Sequence, residues 1–126
     1  MADTVIYEFT SGIVRWSDGA NMWDGTETSY AYTDIDGDTQ RCTGNECIGT
    51  NLGTISKVEL RAYAYADDND ELLIQPIFSE YGDEHVTVPG ATAGWGLWQD
   101  VTNDTNHPDW SSWDHVNDLD CEIDPP

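Results

Sequence analysis

Positive charge is what this sequence most lacks. Four Lys and Arg stand against 25 Asp and Glu, a formal charge of -21. The four cations are Arg15, Arg41, Lys57 and Arg61; from Ala62 onward fifteen acids follow with no Lys or Arg. A surface of this sign repels phosphate backbones and anionic lipid, so neither nucleic acid nor a membrane surface is an expected partner. Long apolar runs are also missing. None approaches the roughly 20 residues of a membrane span. No basic-then-apolar leader is visible, so the chain is expected either to fold in the cytoplasm or to be a mature secreted form. Cysteine is scarce, and three residues do not make a disulfide framework. There is no second close Cys pair, and His85, His107 and His115 are scattered, which argues against zinc. The sequence has no G-x-S-x-G elbow, no phosphate-binding glycine loop and no dinucleotide fingerprint. Among so many acids no single pair of carboxylates stands out for glycoside hydrolysis. The expectation is a protein that is not an enzyme.

Aromatic residues, in contrast, are plentiful. Six Trp, six Tyr and two Phe are too many for an acidic disordered tail. At 126 residues, without a linker or an internal repeat, the chain reads as one domain, residues 1–126. Short strand patterns recur between turn signals. "TVIYEFT" puts Val5, Tyr7 and Phe9 on one face, "GIVRW" follows after Ser11, and "SYAYT" is a third strand. "TISKVELRAYAYA" is the clearest. Val58, Leu60, Ala62 and Ala64 point one way, and Lys57, Glu59, Arg61, Tyr63 and Tyr65 the other. "ELLIQPIF" carries Pro76, which predicts an edge strand or a bulge. "HVTV", "GLWQDVT" and "CEI" complete the set. In "SSWDHVNDLD", Trp113, Val116 and Leu119 recur every three residues, and Ser111 with Asp114 has capping-box spacing. This predicts one short helical turn before the last strand. The fold expected is all-β, a single jelly-roll-like antiparallel β-sandwich.

The segment "MWDGTETSYAYTDIDGD", Met22 to Asp38, holds five acids, two glycines and four aromatic or methionine side chains. Its "WDGTETSYA" resembles the DG-x-x-x-T-x-W turn found early in discoidin-like sandwiches and carbohydrate-binding jelly rolls. The resemblance implies a structural calcium ion held by Asp24, Thr26 and Ser29 together with Glu122 in "LDCEI". Asp34, Asp36 and Asp38 of "DIDGD" form a second candidate, since alternate carboxylates around a glycine turn can wrap a cation. A second resemblance, carried by "ISKVELRAYAY", "WGLWQDVTND" and "WSSWDHVNDLDCEI", is to small all-β proteins of tailed-phage virions and archaeal surface assemblies.

The tryptophans are the other candidate surface. Trp98 and Trp113 fall on strand and helix spacing and are expected inside. Trp95 and Trp110 lie among Gly, Pro, Asp and Ser and are expected to be exposed, where they can stack on a sugar or a partner protein. Tyr63 and Tyr65 share the outward face of their strand. Cys42 and Cys47 flank "TGNE"; on a hairpin they would close a small disulfide, with Cys121 buried beside Leu119 and Ile123. Asn103-Asp104-Thr105 is a glycosylation sequon if the chain is secreted.

These features lead to the expectation of a non-enzymatic structural or decoration subunit on the outside of an assembly. A virion is the first choice, with calcium as a structural cofactor and other protein subunits as partners. The location would be a virion surface or extracellular. The alternatives are a calcium-stabilised carbohydrate-binding module, with glycans as partners, and a subunit of a secreted archaeal or bacterial filament.

Overall fold

The computed structural model of the protein describes residues 5–13, 16, 39–49, 51–66 and 70–124. Among the described residues nine short strands and one helical turn form in chain order. They are β1 (Phe9–Ile13), β2 (Gln40–Asn45), β3 (Glu59–Leu60), β4 (Tyr63–Ala64), β5 (Leu72–Ile77), β6 (His85–Thr87), β7 (Gly94–Trp95), β8 (Gln99–Asp100), α1 (Asp114–Asn117) and β9 (Asp120–Asp124). All pairings among the described residues are antiparallel, so the fold is all-β. One sheet has the order β1-β2-β9-β5-β6, and a narrow ribbon is made by β3-β8 and β4-β7. The chain crosses between the two after β2, β4, β6 and β8. This alternation places the last strand between β2 and β5. A closed eight-strand jelly roll is not seen among the described residues, where the second layer is only two strands wide.

Strand alternation sorts the side chains. Cys42, Ile74 and Cys121 from the sheet meet Val58, Leu60 and Val101 from the ribbon, with Trp110 and Leu119, in one buried cluster. Phe9, Ile55, Phe78, Val116 and Ile123 pack against it. The alternation read from "TISKVELRAYAYA" holds at Val58 and Leu60, which are buried while Lys57 is exposed.

Several local expectations are corrected. β1 runs unbroken across Ser11 and Gly12, because Phe9, Ser11, Gly12 and Ile13 pair in register with Asn45, Thr43, Cys42 and Arg41. "TGNE" is no hairpin loop. β2 passes through it, and Gly44 takes φ 63° where a Cβ would stand 2.6 Å from Ser11 Oγ. The glycine answers a close strand approach, not a chain reversal. No disulfide joins Cys42 to Cys47; all three cysteines are thiols.

Pro76 lies in β5, an inner strand, and is fully buried. Its carbonyl accepts from Gly82 N–H at 2.9 Å on the side where the β6 ladder has already ended at Ile74 and His85. The absent N–H faces that same side, so no ladder bond is lost. The helical turn forms where expected, but Ser111 does not cap it. Ser111 bonds Asp109 instead, and Ser112 Oγ accepts from Asp114 N–H at 3.1 Å.

Asn45 ties this corner together. Its Nδ2 donates to the carbonyls of Val116 at 2.6 Å and Leu119 at 3.2 Å, while its Oδ1 accepts from Cys47 N–H. One side chain thus satisfies part-buried carbonyls at and just past the helix end and fixes β2 against the entry to β9.

Candidate functional site

The ribbon carries the most distinctive surface. Its two ladders are one continuous pairing interrupted by an extra residue. Leu60 opposes Gln99 and Tyr63 opposes Trp95, so Arg61 and Ala62 face three residues, Gly96, Leu97 and Trp98. This is a β-bulge. In a regular strand, residues three apart point to opposite faces. The extra residue brings Trp95 and Trp98 to the same face, beside Arg61 and Tyr63.

The contacts follow from that placement. The Arg61 guanidinium carbon lies 4.1 Å from the Trp95 ring centroid and 4.2 Å from that of Trp98. Tyr63 meets Trp95 edge-to-face, with centroids 5.3 Å apart. Both indoles remain open to solvent, Trp95 at 46% and Trp98 at 41%. Tyr65 and Leu97 are exposed nearby in sequence. Arg61 Nε is buried without a hydrogen-bond partner. Arg41 and Lys57 by contrast reach carboxylates, Asp120 at 3.4 Å and Glu59 at 3.5 Å. The aromatic surface therefore holds a fixed positive charge in a strongly acidic chain.

The opposite face of the same ribbon is lined by small residues. Gly96 points toward β6, where a Cβ would meet Thr87 Oγ1 at 3.3 Å. Ala62, Ala64, Gly94 and Gly96 leave an open groove against Leu72 and Val88 of about 170 Å³. Small-molecule sites usually offer about 300–1,000 Å³, so the groove falls short of one.

The predicted site residues separate as follows. Tyr63 and Trp95 are brought together, and Tyr65, two residues on, is exposed. Trp110 does not join them. It is only 7% exposed, packs edge-to-face on Phe78, and donates its Nε1–H to Thr102 O at 2.9 Å. Its backbone takes φ 54°, which turns the ring inward from a run of polar neighbours. Trp98, expected inside, is outside. Trp113 is half-buried and donates to Gly53 O at 2.8 Å. Sequence reading missed Arg61 as a site residue. Only the bulge brings it between the two indoles, and no spacing rule announces a bulge.

Asp24, Thr26, Ser29, Asp34, Asp36 and Asp38 lie outside the described residues. Glu122 is on the face of β9 turned away from the core and accepts from the Tyr81 hydroxyl at 2.8 Å. Among the described residues no three of His, Cys, Asp and Glu gather as metal ligands. No described helix is long and apolar enough to cross a membrane.

A buried polar pair lies elsewhere. His85 Nε2 donates to Asp104 Oδ2 at 2.7 Å, and Asp83 N–H donates to the same oxygen at 3.2 Å. The pair links β6 to the turn that follows β8, and Asn103 of the sequon is exposed on that turn. Comparison of the chain with protein-family models, with curated proteins and with solved structures finds no match.

Proposed function

We propose that the protein is a non-enzymatic structural subunit that docks on the exterior of a protein assembly through the Arg61, Tyr63, Trp95 and Trp98 surface. The observation that supports this reading is the Arg61 guanidinium set against two exposed indoles. Trp, Tyr and Arg are the residues in which binding energy concentrates at protein interfaces. The acidic remainder of the surface keeps assembled particles apart by repulsion. A virion is the assembly we favour, with an extracellular or virion-surface location. Calcium held through Asp24, Thr26, Ser29 and Glu122 is the proposed structural cofactor.

The test is sedimentation and native mass spectrometry of the full chain, in calcium and after chelation. Arg61→Ala and Trp98→Ala serve as comparisons. The expected result is a defined oligomer, or binding to an assembled particle, weakened at least about tenfold by either substitution. A bound calcium ion in the native mass would support the cofactor. A monomer that binds no assembled particle would overturn the reading.

A carbohydrate-binding module is the second reading, favoured by the exposure of Trp95 beside Tyr63. It ranks second because Arg61 already covers one face of each indole, and a stacked sugar needs such a face. Glycan-array binding that Trp95→Ala abolishes would reverse the order.

A further inference from the structure

We infer that Cys42 and Cys121 are a disulfide pair in waiting, joining β2 to β9 across the centre of the five-stranded sheet when the chain folds in an oxidising environment. The two residues oppose each other directly in the antiparallel register. Both side chains face the core, at 3% and 4% exposure, within the same buried cluster.

Geometry permits the bond. Pro76 and Cys121 are register partners, and the Pro76 carbonyl points away from β9. The backbone polar groups of Cys121 therefore face β2, which makes Cys42–Cys121 a hydrogen-bonded pair with Cα atoms about 5.5 Å apart. A disulfide tolerates about 4.4–6.8 Å between Cα atoms. Opposed Cβ atoms lie about 4.5–5.5 Å apart, and the bond needs about 3.5–4.5 Å. Hydrogen-bonded pairs lie at the wide end of that range, so closure draws the two Cβ atoms together by roughly 1–2 Å. Cys47 is placed differently. It follows the end of β2, and its Sγ lies 3.7 Å from the Trp113 carbonyl.

Timing follows from the chemistry of the thiols. The Cys42 thiol beside it and then burial hold the Cys121 thiol well above its usual range, so little thiolate exists once the core has closed. The bond forms while the chain is still folding. A small-molecule disulfide such as oxidised glutathione is the oxidant. The thiolate of one cysteine attacks it, forms a mixed disulfide and expels one glutathione thiolate. The second cysteine's thiolate then attacks the mixed disulfide and expels the other. The protein loses two thiol protons and two electrons, and the oxidant becomes two thiols.

The test refolds the denatured full chain in a glutathione redox buffer and, separately, under strong reductant, followed by alkylation and peptide mass spectrometry. The expected product links the Cys42 and Cys121 peptides, leaves Cys47 alkylated, and melts about 10 °C above the reduced chain. Cys47→Ser should keep the whole increment, and Cys121→Ser should lose it. Should Cys121→Ser fail to fold, the oxidised and reduced forms of Cys47→Ser give the same comparison. A Cys42–Cys47 linkage would overturn the inference, as would three alkylated cysteines in the folded, oxidised chain.

Discussion

The two ends of the ribbon share a strand pair but treat hydrophobic bulk in opposite ways. At the β3–β8 end, Val58, Leu60 and Val101 turn inward and are buried, and the outer face carries Lys57 and Glu59 as an ion pair. At the β4–β7 end, Ala62, Ala64, Gly94 and Gly96 turn inward and leave a groove, while Tyr63, Trp95 and Trp98 stand outside. One end is fastened to the core by volume. The other keeps its large side chains on the outside. A bulge separates the two, and it is the device that gathers the outer aromatics.

The most demanding challenge to this contrast sets one tryptophan against another. Trp110→Ala removes a buried ring from Phe78 and leaves the Thr102 carbonyl without its indole donor. Unfolding by urea should show a loss of about 3–5 kcal/mol. Trp98→Ala removes an exposed ring and one cation–π contact, and should cost less than about 1 kcal/mol. Its main effect should be on association. Equal losses at the two sites would show that the outer aromatics serve stability.

That pair of residues also shows what could be read from sequence. Strict alternation made Val58 and Leu60 legible as core, and the three-residue rhythm of Trp113, Val116 and Leu119 located the helical turn. Trp98 and Trp110 were read the wrong way round for physical reasons. Trp98 lies three residues before buried Val101, so regular alternation itself turns it outward, and a left-handed backbone turns the Trp110 ring inward among Asp, Ser and Pro. Cys42 and Cys121 were not paired because their meeting depends on β9 inserting beside β2, a consequence of topology that no local spacing carries. The loop reading of "TGNE" failed because glycine serves close approach as well as reversal.

A smaller effect should come from the polar anchor of the buried end. Asp104 follows the Val101–Thr102 segment and receives His85 and the Asp83 amide on one oxygen. Asp104→Asn keeps the shape and removes the charge, so the two bonds lose their charge assistance. A loss of about 2 kcal/mol in urea unfolding is expected. Amide hydrogen exchange should rise at β6 and the turn after β8 more than in β7. Uniform acceleration across the ribbon would argue that its two ends open as one unit.

The smallest effect is a titration at β8. Thr102 donates its hydroxyl to Asp100 Oδ1 at 2.6 Å and its amide to the same oxygen at 3.0 Å. These bonds, the hydroxyl first, hold the Asp100 carboxyl below its usual range. Such a group favours the folded state at any pH above its unfolded value, about 3.9, and that contribution disappears as the pH falls through the lower folded value. Thr102 Oγ1 also accepts from Val58 N–H at 2.8 Å, so the same hydroxyl secures the buried end of the ribbon. Thr102→Val should therefore raise the Asp100 titration midpoint in a carbon-detected NMR titration toward the ordinary carboxylate range. It should also flatten the acid limb of stability and speed exchange at the Val58 amide. Asp109, lowered in the same way by Ser111, lies beyond the ribbon and should titrate unchanged. A Thr102→Val chain whose Asp100 midpoint stays low would show that the amide alone sets it. An unchanged exchange rate at the Val58 amide would show that its buried side chain secures it more than the hydroxyl does.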